Sequence, residues 1–379
     1  MSGSMASFIY TKRLIDEGIT AESAHDARVA VLQSKTLLSV SPDMSPAERS
    51  ECIKEAAIHN GPILRLARLW KLVEFAIANG YDVMPGCRFE EGVQSGSGPL
   101  FNAVRLRWLN ELHPDWQAPT MIMSATAEVD LLKLVWPQLE LVADVNPVMP
   151  HATVRQILFS AASHKLENPN HLQRLKRYIE VRALEFRDQG KEIKGRRVDV
   201  LVIAQMFTEG ELNSLSLPDN VDTAHFNAVE GIDKWGGVPC LISIGRTMAS
   251  PGDVELMAEV LTGNPVNRDG IEFPGNWYPR EVAGIRVNGA GDVGHPTITE
   301  VHPDQTAEAV RWSICEAGLI QAIGRARAVN RTESDPVQID IISTIPLPFS
   351  VDEVLAKDAI EPNPLAVMAA RGLVIDEKA

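Results

Sequence analysis

Val198-Asp-Val-Leu-Val-Ile-Ala204 (VDVLVIA) is an apolar, β-branched run broken by a single aspartate. A run this short and apolar reads as a strand buried on both faces, as parallel strands covered by helices are. Two similar runs follow, Val238 to Ile244 (VPCLISI) and Gln338 to Ile345 (QIDIISTI), and Thr120 to Met123 reads as a shorter apolar strand upstream. Helical stretches lie between them, notably Asn170 to Gln189 and Ala307 to Ile323. Strands alternating with helices predict an α/β fold, a parallel sheet with helices on both faces.

Upstream of that sheet the texture is mainly helical. Ser45-Pro46 supplies a cap and a first-turn proline. Pro62 is expected to open a second helix, with Ile63, Leu66, Leu69, Trp70, Val73 and Ile77 at helical spacing as far as Asn79-Gly80. Gly92 to Pro99 (GVQSGSGP) reads as a flexible loop. Val104, Leu106, Leu109 and Leu112 then suggest an amphipathic helix. Pro251 to Pro303 is rich in Gly, Pro and Asn and reads as an insertion with no long apolar helix. Trp70, Trp108 and Trp136 sit at apolar helical positions and are expected in the core.

Composition sets outer bounds. Of 379 residues, 45% are hydrophobic and 23% charged, which is ordinary for a globular protein. No apolar run reaches the roughly 18 residues of a membrane span, and no signal pattern opens the chain, so no membrane partner is expected. Met1 to Met5 (MSGSM) reads as a cloning scar, which predicts a chain cut from a longer protein. Cys52, Cys87, Cys240 and Cys315 lie far apart without a CxxC, which argues against a disulfide framework or a structural zinc and fits a reducing cytoplasm. The formal charge of −14 argues against simple coating of nucleic acid, although local basic clusters can still bind phosphate. From His171 to Arg197 there are nine Lys/Arg against four acids. Arg174, Lys176, Arg177, Arg196 and Arg197 are therefore candidates for a phosphate track; a solvated helix face is the plainer alternative.

The sharpest chemical signal is Gln321-Ala-Ile-Gly-Arg-Ala-Arg327 at the end of a helix. Glycine permits a turn that aims two arginines away from the helix. A guanidinium binds two oxygens in a planar fork and stays charged, which suits phosphate. At a nucleotide site it can neutralise charge developing on the γ-phosphate. Arg331, four residues beyond, lies outside this string and is expected to serve as a control for loss of charge. Trp235 lies beside Gly236-Gly237, either as a hydrophobic plug or as a base-stacking platform.

QAIGRAR resembles motif VI of superfamily 2 helicases. His225-Phe-Asn-Ala-Val-Glu-Gly-Ile-Asp233, some ninety residues earlier, resembles motif V; Ser124-Ala125-Thr126 resembles motif III, and VDVLVIA has the place of the motif IV strand. The style of QAIGRARAVNR before a final strand is also similar to primase–helicases of phages and mobile elements. The resemblance implies a RecA-like sheet and an organisation of four parts. Residues 1–118 would be a mainly helical region, and 119–146 the last strand and helix of a first RecA-like lobe. Residues 147–350 would be a second RecA-like lobe with an insertion at about 247–304, and 351–379 a helical tail.

The same resemblance implies roles. Arg325 and Arg327 would act on ATP. Gln321, Gly324, Gly231 and Asp233 would lie on the nucleotide side, and Ser124 and Thr126 would couple the lobes. His225 stands where the family has a threonine facing the nucleic-acid backbone. Partners would be DNA or RNA, single strands favoured, and the N-terminal RecA-like lobe; cofactors would be ATP and Mg, held with the P-loop half.

No GxxxxGK[S/T] P-loop occurs. Gly190-Lys191 is followed by Glu192, and Leu14-Ile-Asp-Glu17 is a poor metal-binding strand that reads better as a charged helix surface. The chain is thus expected to be inactive alone, either as part of a helicase motor or as a catalytically silent RecA-like module that binds nucleic acid or a partner protein. Gly289 to Gly294 fits GxGxxG, but His295-Pro296 and another apolar run follow, so a hairpin turn is expected instead of a dinucleotide site.

Overall fold

The computed structural model describes residues 6–361, 363–370 and 372, apart from 38–39, 95–96, 111, 114, 116, 146, 162–167, 230, 272–276 and 290–293. The scar reading at 1–5, Ser95-Gly96 of the flexible loop and most of the GxGxxG string lie outside the described residues. The chain divides into two compact units, residues 1–119 with 252–267, and residues 120–251 with 268–379.

The first unit holds helices α1 (Thr11–Asp16), α2 (Ala21–Gln33) and α3 (Pro46–Ala78), and an antiparallel sheet ordered β1 (Ala6–Tyr10), β2 (Val83–Gln94), β3 (Leu100–Leu106). Ser45 caps α3 in a reciprocal box with Glu48, as the Ser-Pro start predicts. Pro62 does not open a new helix; it lies inside α3. An internal proline forfeits one backbone bond. Here the helix is held just before it, where the buried Asn60 amide bonds both the N–H and the carbonyl of Thr36.

The helix expected through Val104 and Leu106 is strand β3 instead, because pairing with β2 overrides a weak helical pattern. Strand β2 escaped the sequence reading because Pro85, Gly86 and Gly92 argue against a strand. The β1–β2 register shifts at Pro85 and Gly86, so the two residues occupy an irregularity in the ladder. The N-terminal region is thus mixed α and β, with a small core around Ala24, Val73, Ala76, Met84 and Cys87. Burial pushes the Cys87 thiol up to about 12.

The excursion from Pro251 does contain a helix, α7 (Pro251–Thr262), with Val254, Leu256 and Ala258 buried, and most of it belongs to the first unit. Glu259 on α7 accepts from both Arg88 nitrogens at 2.8 and 2.9 Å and from the Gly86 N–H at 2.8 Å. Arg88, 3% exposed, is thereby a buried charge with a bidentate partner. This helix is recognised by its partner, not by its own periodicity, since two of its buried residues are glutamates.

The second unit is built on a six-stranded, all-parallel sheet. Its strands are β4 (Ala152–Ile157), β7 (Val200–Ala204), β8 (Val221–His225), β9 (Cys240–Ile244), β12 (Val337–Ile342) and β13 (Glu353–Leu355), in the order β13-β4-β12-β9-β7-β8. The three apolar runs form the adjacent strands β7, β9 and β12. Strand period places Val200 and Val202 on one face, packed with Leu175, Ile179 and Leu212 from helices α5 (Pro169–Glu185) and α6 (Met206–Ser214). Leu201 and Ile203 take the other face, packed with Leu319 and Ala322 of α9 (Glu316–Ile323) and with Val229 and Trp235. Each fully buried aliphatic chain stabilises the sheet by about 1.5–3 kcal/mol.

Asp340, fully buried on β12, ties this sheet to α5. It takes both prongs of Arg155 at 2.8 and 3.0 Å, the Tyr178 hydroxyl at 2.7 Å, and lies 3.1 Å from Arg182 Nε. Two short hairpins flank the sheet, β5 (Lys191–Ile193) with β6 (Arg196–Val198), and β10 (Arg280–Ile285) with β11 (His295–Glu300). The second pairs Ile285 with His295 in antiparallel register; the turn expected between them falls largely outside the described residues.

Three expectations are corrected in this unit. Thr120 to Met123 forms no strand; Met121 and Met123 are 80% and 84% exposed, for the segment has no neighbour supplying a ladder. It leads into the short helix α4 (Val129–Val135). The helix expected over Ala307 to Ile323 is two, α8 (Gln305–Ile314) and α9, because the Ile314 carbonyl accepts the Thr247 hydroxyl at 2.6 Å and the chain breaks at Cys315. The segment from residue 351 is not purely helical, since Glu353–Leu355 adds strand β13 beside β4 before α10 (Pro364–Ala370). Among the described residues no helix is long and apolar enough to cross a membrane.

Candidate functional site

Helix α9 spans the sheet from one edge to the other. It starts at the carboxyl edge, where Glu316 binds Arg246 just after β9 and Arg311 of α8. That edge is where open α/β sheets usually hold ligands. Here buried ion pairs occupy it, with Arg246 also 3.0 Å from Glu300 and the Gln205 amide bonded to the Arg246 carbonyl. The helix ends at the amino edge in a tight turn, Gly324–Ala326, followed by Arg327 at φ 51°. A left-handed arginine costs about 1–2 kcal/mol, so the surrounding contacts must hold it there.

Those contacts bring together segments far apart in sequence. Arg327 Nε donates to Asp233 Oδ1 at 2.6 Å. Arg325 Nη1 donates to the Ile232 carbonyl at 3.3 Å. Gly231 precedes them at φ +70°, and a Cβ at Gly236 would stand 3.2 Å from Arg327 Cγ, so this turn needs its glycines. One helical turn back, Gln321 Nε2 donates to Thr126 Oγ1 at 2.8 Å, while Ser124 Oγ accepts the Thr126 N–H at 3.2 Å. Gly324 is exposed between them. Eight of the residues singled out in sequence thus converge around one end of α9. The Arg327–Asp233 pair is 41% and 70% exposed, so it holds only weakly and can open. Arg325 Nε is enclosed with no acceptor among the described residues, an orphan donor on a charged group.

His225 does not join them. It ends β8 at the carboxyl edge, about 10 Å along the strand from Asp222, and pairs with Glu209 Oε2 at 2.6 Å. The basic candidates are mostly committed elsewhere. Arg174 pairs with Glu361 at 3.0 Å and Lys176 with Glu180 at 2.6 Å. Arg196 binds Asp222 at 2.9 Å and the carbonyls of Asp219 and Val221, and Arg197 binds the Asp188 carbonyl at 2.8 Å. Arg177 is exposed.

The decoys also find places. Trp235 is 2% exposed and donates to Asp222 Oδ2 at 2.6 Å, so it plugs the core instead of offering a platform. Trp108 and Trp136, expected in the core, are 39% and 44% exposed, because Trp108 follows strand β3 outside any helix and Trp136 caps the end of α4. Asp16 and Glu17 are exposed at the end of α1. Gly190 donates to Asp199 Oδ1, and a Cβ there would meet the Val198 carbonyl at 1.9 Å, so it is a packing glycine.

Arg331 is the residue that sequence reading misjudged. It is 5% exposed, and its guanidinium bonds the carbonyls of Ala326 and Val238 at 2.7 to 2.9 Å and Asp335 at 3.1 Å. Burial lowers its pKa from the ordinary arginine value. It staples the arginine turn to the start of β9 and cannot act as a neutral control. Replacing Arg331 with alanine is expected to destabilise the second unit by about 2–3 kcal/mol, since two buried carbonyls lose their donors. A thermal melt within 2 °C of wild type, where such a loss shifts Tm by about 5–10 °C, would refute the staple.

A nucleotide fits this geometry in part. Two guanidinium groups, one with an unfilled donor, suit the oxygens of a phosphate chain. Among the described residues no group of three His, Cys, Asp or Glu side chains could hold a metal ion, so Mg would need ligands from outside this cluster. Comparison with known proteins gives no match to a family model, a curated protein or a solved structure.

Proposed function

We propose that the chain supplies the second RecA-like lobe of a nucleic-acid-dependent ATPase of the superfamily 2 helicase kind, with residues 119–146 ending a first lobe. One observation carries this reading: Arg325 and Arg327 meet the Gly231–Asp233 turn while Gln321 of the same helix holds Thr126. Packing accounts for part of this meeting, because Val229 and Trp235 share a core with Leu319 and Ala322, but apolar packing is no reason for two arginines and a glutamine to make these polar contacts. A shared role in sensing phosphate gives one.

The edge they occupy supports the same reading. Open α/β sheets bind nucleotides at their carboxyl edges. A lobe with arginines at its amino edge is therefore suited to a neighbour's nucleotide, not to one of its own. ATP bound on a P-loop lobe supplies the anhydride whose hydrolysis drives the motor. This chain contributes the guanidinium of Arg325 toward the γ-phosphate, with Arg327 released from Asp233 as the second positive group. Thr126 and Gln321 transmit closure, since their hydrogen bond ties the segment before α4 to the arginine helix.

Joined to a P-loop-bearing lobe, the chain is expected to release phosphate in a manner stimulated by single-stranded DNA or RNA, while alone it stays at background. Turnover by the isolated chain above about 1 per second, in the ordinary enzyme range and surviving repurification, would overturn this reading. So would a joined protein that releases no phosphate with any oligonucleotide.

A further inference from the structure

We propose that the first unit carries a single-stranded nucleic-acid site in the groove between α2 and α3. The inference deepens the motor reading, on which it rests for the identity of the polymer. The groove has a volume of about 720 Å³ and is lined by Arg28, Arg65, Arg68, Lys71 and Trp108, with Ala67 buried beneath and Ile58 exposed beside them. No acidic residue lines it among the described residues, in a chain whose formal charge is −14. A local patch of one sign against an opposite average focuses the field where it lies.

The arrangement follows from helix geometry. Ile58, Gly61, Arg65, Arg68 and Lys71 recur at spacings of three and four, which puts them on one stripe of α3. The cationic part of that stripe, Arg65 to Lys71, runs about 9 Å, enough to reach two neighbouring phosphates, with Arg28 adding a third positive group from α2. Arg28 faces it from α2 and is half-satisfied by Glu74 at 3.0 Å, whereas Arg65 and Lys71 are exposed. Trp108 is 39% exposed with Arg68 stacked over its ring at 5.1 Å, and its indole N–H is held by Asn110 at 2.8 Å. A tethered, half-open indole beside a guanidinium offers a face to a base while the cations follow the backbone. An acidic peptide would use the cations but has no need of a flat aromatic face, so the groove favours nucleic acid.

The test titrates the full chain with a fluorescein-labelled 20-nucleotide oligo-dT across a salt series, reading anisotropy. Arg65→Glu/Lys71→Glu is expected to reduce the salt slope by roughly 1 to 2 units, about one per lost phosphate contact. Trp108→Ala is expected to weaken binding about tenfold with the slope kept, as loss of one stacked base does. Because these side chains are at the surface, melts should match wild type. Wild-type binding that neither variant alters would overturn the groove while leaving the motor reading standing. No binding at 50 mM salt would also overturn it, and the motor reading would then be judged by hydrolysis in the joined protein. Binding of poly-glutamate that depends on the same side chains, without oligonucleotide binding, would assign the groove to a protein partner and overturn the proposal.

Discussion

In a protein joining this chain to a P-loop lobe, Arg325→Ala or Arg327→Ala is expected to lower single-turnover hydrolysis by about 10³-fold, the scale of arginine fingers. The geometry separates the two. Arg325 is half-buried, weakly bonded to one carbonyl and left with an orphan donor, so it is the better candidate for the transferred group. Arg327 is paired with Asp233 in an exposed contact, so its loss should also free that carboxylate. Asp233→Asn then makes a useful companion: it releases Arg327 without removing it and should lower turnover far less than either alanine. Neither arginine carries core packing, so melts should stay near wild type. Arg331 is unsuitable as the charge control; exposed Arg49, outside every candidate site, takes its place, and Arg49→Ala should hydrolyse normally. Near-wild-type hydrolysis in both Arg325→Ala and Arg327→Ala would break the phosphate-sensing assignment and with it the motor reading.

The largest stability effect is expected at Asp340. Asp340→Asn keeps the volume but leaves Arg155 and Arg182 without their carboxylate, and Arg182 is only 7% exposed. Breaking a buried pair from one side destabilises by about 3–5 kcal/mol, because the remaining charge stays desolvated. In a unit of this size that corresponds to a Tm lower by on the order of 10 °C. Gln338→Ala removes only a neutral donor to the same carboxylate, 2.9 Å away, and should lose about 1 kcal/mol. Equal melts for the two variants would show that Asp340 does not carry the charge balance of α5 and the sheet.

The sheet was legible because its signal is local. VDVLVIA and VPCLISI are buried throughout and QIDIISTI is buried at all but Gln338 and Thr344, so nearly every residue of each run reports the same environment. The helix after β12's partner strands was half legible, since nothing in Ile314 or Cys315 announces that Thr247, far upstream, will take a carbonyl and break it. Strand β2 was hidden because its proline and glycines sit at irregularities of its ladders, Pro85 and Gly86 against β1 and Gly92 against β3. Of the candidate site, the arginine string and the Gly231–Asp233 turn were visible as strings, but their meeting is a tertiary fact. Arg331 was invisible because, Asp335 apart, its partners are backbone carbonyls, which any sequence supplies. The α7 carboxylates were equally hidden, since a buried glutamate looks like a surface one until its arginine is found.

The discontinuous make-up of the first unit has a consequence for synthesis. Arg88 and its partner Glu259 are separated by 171 positions along the chain. At about 5–20 residues per second a ribosome takes roughly 10–30 s to cover that distance. During that interval the first unit has an unneutralised guanidinium where its core should close, and it cannot complete before strands of the second unit have emerged. The nascent chain thus finishes its earliest-made part late, after closure of a long loop.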